Sequence, residues 1–482
     1  MIEIIYFMFL FLISFGIGKK VLNLFKFRLS FLEELVFSVG LGYLMLSLTT
    51  FFLGIFQLYY SIVFYLVLSL LFLFLIPTML KFLVLLPKKI MNNHKGLNRL
   101  GKILSILLLF LFFLNLFGTV SPPHGIDVTV YHLSIPKLYI MKQGITYLPT
   151  INQEAYPQGF EMLFLIGLIL KNGILAKLFA YSFGVLLALA LFSFGKRFFN
   201  PQIGILSAII FYTLPIVVEY NVQAYVDIGS AWLVFMCVYA FIYWYKNNYE
   251  TRWLVLSAIF AGFAVSAKII GASIIIAICL VLVSLIFFKK IPFDKGIKSL
   301  LIFGGIACLI YSPWFLKNLI YRGNPFFPYF YKYFGGTDWS NVVESHRQHT
   351  GTVVYGGHNI LYILLVPFVL IFNSGAQGSF LGWGPIFLAF IPLYFLKKNK
   401  DKTMNLLFYI SALMFLIWYV ASPIKSIRVL YIYPLLAIIA GFVIFWLLQY
   451  KPLRKVIIIL IFSTFLFGMI LAIGIRIKTG QL

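Results

Sequence analysis

Apolar stretches long enough to cross a bilayer recur along most of the chain, and short clusters of Lys and Arg separate them. About 20 helical apolar residues span the hydrocarbon layer, where every backbone polar group must be satisfied inside the protein. Such stretches fall near residues 3–18, 31–55, 60–86, 103–120, 175–194, 202–217, 228–245, 252–268, 270–288, 299–313, 381–396, 404–420, 429–449 and 455–473. The pattern predicts an all-α polytopic membrane protein with about 14 spans. Composition leads to the same class: 62% of the 482 residues are apolar and 11% charged, too little polar surface to cover a water-soluble core of this size.

The net charge of +25 could suggest nucleic acid, but its placement argues for topology signals instead. Pairs such as Lys19-Lys20, Lys88-Lys89, Lys196-Arg197, Lys289-Lys290, Lys397-Lys398 and Arg454-Lys455 lie between apolar runs, as cytoplasmic loops facing anionic lipid do. No soluble-looking segment carries a basic groove with interleaved aromatics, so nucleic acid is not an expected partner. With these clusters inside, loops 121–158 and 314–357 share the opposite, non-cytoplasmic side. That parity requires the apolar stretches 160–170 and 359–372, both short for a span, to be re-entrant or to lie along the interface. The charges of the first segment follow its apolar run, so a retained span is expected there, not a cleaved signal. Cys237, Cys279 and Cys308 lie in apolar runs and make no disulfide framework. Three regions are expected: an N-terminal three-span module (1–100), a catalytic transmembrane core with external loop 121–158 (101–345), and C-terminal helices that complete the bundle (346–482).

The 13 acidic residues sort by position. Glu3, Glu33, Glu34, Glu250, Asp294 and Asp401 fall at span ends or in cytoplasmic loops. Asp127, Glu154, Glu161, Glu219, Asp227, Asp338 and Glu344 fall outside or at the outer boundary. None is expected in the middle of a span, where an ion-coupled transporter places its ionisable groups, and this favours an enzyme at the outer face. Asp127 follows Pro122 and Pro123, which end a span. Tyr131, His132, Pro136, Lys137 and Tyr139 then form an amphipathic stretch suited to the membrane plane. Each candidate also has a plainer reading. Asp127 and Asp227 can be helix caps, as can Glu154 and Glu161; Lys137, Lys268 and Arg428 can be snorkelling cations. His132 can anchor an interfacial helix or hydrogen-bond a phosphate. His346 and His349 have a spacing that metal ligands use, with no clear third ligand nearby.

The series Asp127, Tyr131, His132, Leu133, Pro136, Lys137, Tyr139 and Gly144 resembles the lipid-carrier-dependent glycosyltransferases of the GT-C superfamily. That superfamily includes protein O-mannosyltransferases and bacterial aminoarabinose transferases. The likeness continues through Tyr156-Pro157, Glu161-Met162-Leu163, Ala224 to Asp227, Ala267-Lys268, Ser312-Pro313-Trp314 with Asn318, and Gly323-Asn324-Pro325 with Pro328. It covers roughly residues 103–340 and implies a GT-C-type helix bundle with interfacial helices in the external loops. The implied partners are a polyprenyl-phosphate-linked sugar donor, a lipid, glycan or protein acceptor, and membrane lipid. In this resemblance Asp127 takes the position of the family's essential acid in the first large external loop, and Asp227 is a second catalytic carboxylate. Lys268, Arg428, Lys137, His132, Tyr131, Glu154, Glu161 and Asn324 are implied to bind substrate. No cofactor is certain: some relatives use a divalent ion and others do not, so an ion between Asp127 and Asp227 stays open. A transporter or flippase of lipid-linked sugars and a non-catalytic membrane subunit are the competing readings.

Overall fold

The structure is a computed structural model that describes residues 2–93, 96–149, 151–337, 362–372, 385–421 and 426–478. Among these residues it is helical without a strand, and 11 helices have the length and apolar character to cross a membrane. In chain order the first are α1 (Ile2–Leu24), α2 (Phe31–Ile55), α3 (Ser61–Asn93), α4 (Arg99–Thr119), α5 (Ser134–Met141), α6 (Glu161–Leu170), α7 (Gly173–Phe198), α8 (Pro201–Tyr212), α9 (Pro215–Tyr220), α10 (Asp227–Lys246), α11 (Thr251–Ala267), α12 (Ala272–Phe287) and α13 (Phe293–Arg322). The helices Lys402–Ala421, Tyr433–Leu447 and Lys451–Lys478 follow.

Burial separates centre from rim. The apolar window of α10 is 94% buried within the protein, against 22% for α3 and α13. α10 packs on α7, α11 and the turn Leu430–Ile432, and its apolar residues cover its whole circumference, as a helix enclosed by protein requires. The first three helices join this centre through α2. The Tyr43 hydroxyl meets Ser182 Oγ of α7 at 2.8 Å, and Ser47 Oγ donates to the Gly159 carbonyl at 2.6 Å. α1 and α2 cross at Gly18 and Gly42, where a Cβ would overlap the facing backbone.

Two expected spans are shorter than the apolar runs suggested. The run 202–217 breaks after Tyr212, because Pro215 has no N–H to continue the ladder and starts α9 instead. The run 252–268 forms the 17-residue α11, which ends at Ala267 because Lys268 is extended (φ −160°, ψ 131°). The described part of 381–396 is a short helix, Pro385–Phe390, followed by a 3-10 stretch containing Pro392. The described part of 359–372 likewise holds one turn and the seven-residue helix Val366–Phe372.

The stretch 160–170 is the returning limb of a re-entrant segment. Ile145 N donates to the Gly54 carbonyl near the end of α2, whereas Gly159 meets Ser47, seven residues down the same helix. At 1.5 Å per residue the chain therefore descends about 10 Å between these anchors. α6 then rises until its last carbonyls face Ser61 and Tyr65 at the start of α3. Residues Glu154, Ala155 and 157–167 are buried, as backbone at this depth must be. The descending chain also meets the end of α13, so loop 121–158 and the segment after α13 lie on one side of the bundle.

Candidate active site

The site begins where α4 ends. Lys177 of α7 is buried and donates from Nζ to the Ser121 carbonyl at 2.8 Å and to Ser121 Oγ at 3.1 Å. A cation at the C-terminal end of a helix satisfies otherwise orphaned carbonyls. The next residues dock on the segment before α10: His124 N donates to Gln223 Oε1 at 3.1 Å, and Gln223 Nε2 lies 2.9 Å from the His124 ring. Gly125 has φ +105° and sits so close to the Tyr225 hydroxyl that a Cβ would come within 2.8 Å of it. Only glycine takes that backbone conformation without strain.

Asp127 follows on an exposed turn, at the head of a single π-helical turn over Val128–His132, and its side chain makes no cap hydrogen bond there. The phenol of Tyr131 lies one turn on, within reach of the charge on this carboxylate. Burial holds that phenol well above its usual range, and the charges of Asp127, Asp227 and Glu161 push it further the same way. Tyr225 is pushed up to about 12 by burial and then by Asp127, Asp227 and Glu219. Tyr220 is raised by burial and the same three acids. Carboxylates from four places in the chain thus converge on three tyrosines. Glu219 itself is pushed up to about 7 by burial.

Two pairs organise the floor. Asp227, in the first turn of α10, forms an ion pair with Lys268. Asp227 is 5% exposed and Lys268 30%. Lys268 is thus paired with an acid of the protein and does not simply snorkel to the headgroups. The extended residue after α11 aims its ammonium at the start of α10. His132 Nδ1 and Glu161 Oε1 lie 2.6 Å apart and both side chains are buried. Their outer atoms, His132 Nε2 and Glu161 Oε2, have no partner among the described residues.

The remaining sequence candidates lie elsewhere. Glu154 is fully buried and belongs to a second cluster, with Lys317 Nζ at 2.7 Å and Arg322 Nη2 at 3.2 Å. Both of its oxygens are engaged by cations from α13 that sequence reasoning did not single out. Asn324 holds its own turn. Its Nδ2 donates to the Tyr329 and Gly335 carbonyls, each at 3.0 Å, and its Oδ1 accepts from Phe326 N at 2.9 Å. In this structure both residues bond within the protein. Lys137 is exposed on α5. Arg428 is half-buried in the turn Ser426–Val429, just before residues that pack on α10. Asp338, Glu344, His346 and His349 lie outside the described residues. Among the described ones there is no group of three or more His, Cys, Asp or Glu that could hold a metal ion.

Residues 169–433 match the family described as a domain of unknown function, DUF8201. The chain belongs to this family. The DUF8201 segment contains Asp227, Lys268 and Arg428, while Asp127, His132 and Glu161 precede it. No curated protein matches the chain. Two solved structures do resemble it, both of ArnT from Cupriavidus metallidurans. The apo structure has a TM-score of 0.50 at 14% identity, and the structure bound to undecaprenyl phosphate 0.49 at 13%. Each comparison covers 76% of this chain and 62% of the ArnT chain, so this DUF8201 member spans less than two thirds of its structural neighbour. The fold is all-α and multi-pass and resembles that of ArnT.

Proposed function

We propose that this protein is a membrane glycosyltransferase that moves a sugar from a polyprenyl-phosphate-linked donor to an acceptor hydroxyl on the non-cytoplasmic face. The observation that carries the proposal is the convergence of Asp127 and Asp227 on Tyr131, with Lys268 paired to Asp227. The resemblance of the series from Asp127 to Gly144 to glycosyltransferases that use lipid carriers supports the choice of carrier. The basic clusters at the opposite ends of the helices support the sidedness.

In this reading the acceptor oxygen attacks the anomeric carbon as the bond to the phosphate oxygen breaks, and the bonding pair leaves with the phosphate. Direct displacement inverts the anomeric centre. Asp127, exposed and without a cap bond, accepts the acceptor proton. Lys268 and Arg428 stabilise the charge that develops on the departing phosphate. Asp227 positions Lys268 through their ion pair.

The test is turnover of a labelled prenyl-phosphate sugar by purified protein carrying Asp127→Asn. A loss of two orders of magnitude or more is expected for a general base, and wild-type turnover by the variant refutes the assignment. Movement of the labelled lipid across vesicles without glycosidic product would instead identify a transporter.

A further inference from the structure

At the opposite end of α10 from Asp227, about 30 Å away along a 20-residue helix, three turns converge on a cleft of about 470 Å³. The α1–α2 turn brings Lys26 and Arg28, the last turn of α7 brings Arg197, and the α10–α11 turn brings Glu250 and Arg252, over Tyr243. Arg252 is committed to structure. Its Nε and Nη2 both meet Glu250 Oε2 at 2.8 Å, and its Nη1 donates to the Phe25 and Lys26 carbonyls at 3.0 and 2.9 Å. These bonds hold Lys26 in a left-handed conformation, φ +51°, uncommon for a residue with a long side chain. Arg197 lies over the Tyr243 ring at 5.6 Å, and that ring stacks on Trp253 at 4.0 Å. The nearby buried Glu33 is occupied by the phenols of Tyr239 and Tyr243 and by the Ser30 N–H.

With Glu250 neutralising Arg252, the charges of Lys26, Arg28 and Arg197 have no acid opposite them among the cleft residues. Surface lysines alone would be ordinary topology signals. Here one arginine clamps the turn that presents the others, and a stacked aromatic pair fixes the position of Arg197. We propose that this cleft binds a phosphate-bearing anion, supplied either by an acidic phospholipid headgroup or by a free phosphate compound. Arginine guanidinium recognises phosphate through paired hydrogen bonds, and a cleft at helix ends between basic loops meets lipid headgroups directly. The proposal does not depend on the transferase reading, and its test does not measure transfer.

The full chain in phosphatidylcholine nanodiscs is titrated with dioctanoyl phosphatidylglycerol, dioctanoyl phosphatidylcholine and inorganic phosphate. Arg28→Ala/Arg197→Ala is compared with wild type, and bound ligand is read by native mass spectrometry. Saturable binding of an anion that weakens on the order of tenfold in the double variant is expected, with no binding of the zwitterionic lipid at the cleft. Binding of the glycerol lipid alone identifies the headgroup as the source, and equal binding of inorganic phosphate identifies a free phosphate compound. The exposed substitution Arg28→Gln replaces the double variant if that one does not elute as wild type. If neither anion binds, or the variants bind both as wild type does, the proposal is overturned.

Discussion

Neutralising Glu154 should be among the most damaging single changes in the half of this protein that holds Asp127. Glu154 is 0% exposed, Lys317 1% and Arg322 0%. In Glu154→Gln the shape survives but two cations remain buried with no counter-charge. Removing one partner of a buried pair costs about 3–5 kcal/mol, because the charge left behind cannot be hydrated. For a chain of 482 residues that corresponds to a fall in melting temperature of about 3–5 °C. Asp227→Asn provides the contrast: Lys268 is 30% exposed and can turn toward water, so its pair is worth about 1 kcal/mol or less. The assay is thermal unfolding of purified variants in one detergent. The same logic predicts that Glu154→Gln is partly rescued by Lys317→Met, since an apolar group of similar volume leaves one buried cation instead of two. Equal melting of the Gln and Asn variants, or no rescue by Met, would refute this account of Glu154.

Other expectations follow from local geometry. Burial raises Glu219 to about 7 from its ordinary 4.5, so the folded state holds its proton more tightly than the unfolded chain. Its contribution to stability is complete below about pH 4.5 and is lost as the pH rises through about 7. The melting temperature of wild type minus that of Glu219→Gln should therefore fall across this window and level off above it. Gly125→Ala meets both the positive φ and the Tyr225 hydroxyl. It should cost about 1–3 kcal/mol and release the turn that carries Asp127, seen as faster proteolysis within 121–130. Lys177→Met strips the cation from the end of α4 and should lower stability by about 1–3 kcal/mol, measured by the same melting experiment.

What the sequence makes legible here is whatever rests on local hydropathy and chain order. Helices such as α2, α7 and α10 announce themselves because a 20-residue apolar run in lipid has one regular solution. Hydropathy averages over a break, so it does not register Pro215 inside its run. Asp127, Asp227 and Lys268 were each visible as polar residues at the edge of an apolar run. The tyrosines around which the acids gather were not, because 30 tyrosines in a membrane chain carry little positional information. The partnership of Glu154 with Lys317 and Arg322 spans more than 160 residues of sequence, and nothing local to α13 marks those cations as belonging to an acid. Asn324 shows the opposite difficulty. A turn sequence that looks poised for a ligand can use every polar atom to hold its own backbone.

The re-entrant dip constrains the order in which this chain can be assembled. Ten residues of α6 reach about 15 Å, half the hydrocarbon thickness, too little for the segment to be retained in lipid as a helix of its own. Its deepest point, Gly159, is held by α2 on one side and through the Ser266 carbonyl of α11 on the other, at 2.7 Å. α11 emerges from the ribosome more than 90 residues after that glycine. Until then the dip has nowhere dry and protein-lined to go, so it must wait at the bilayer surface and enter late, when translation has already delivered the helices that receive it.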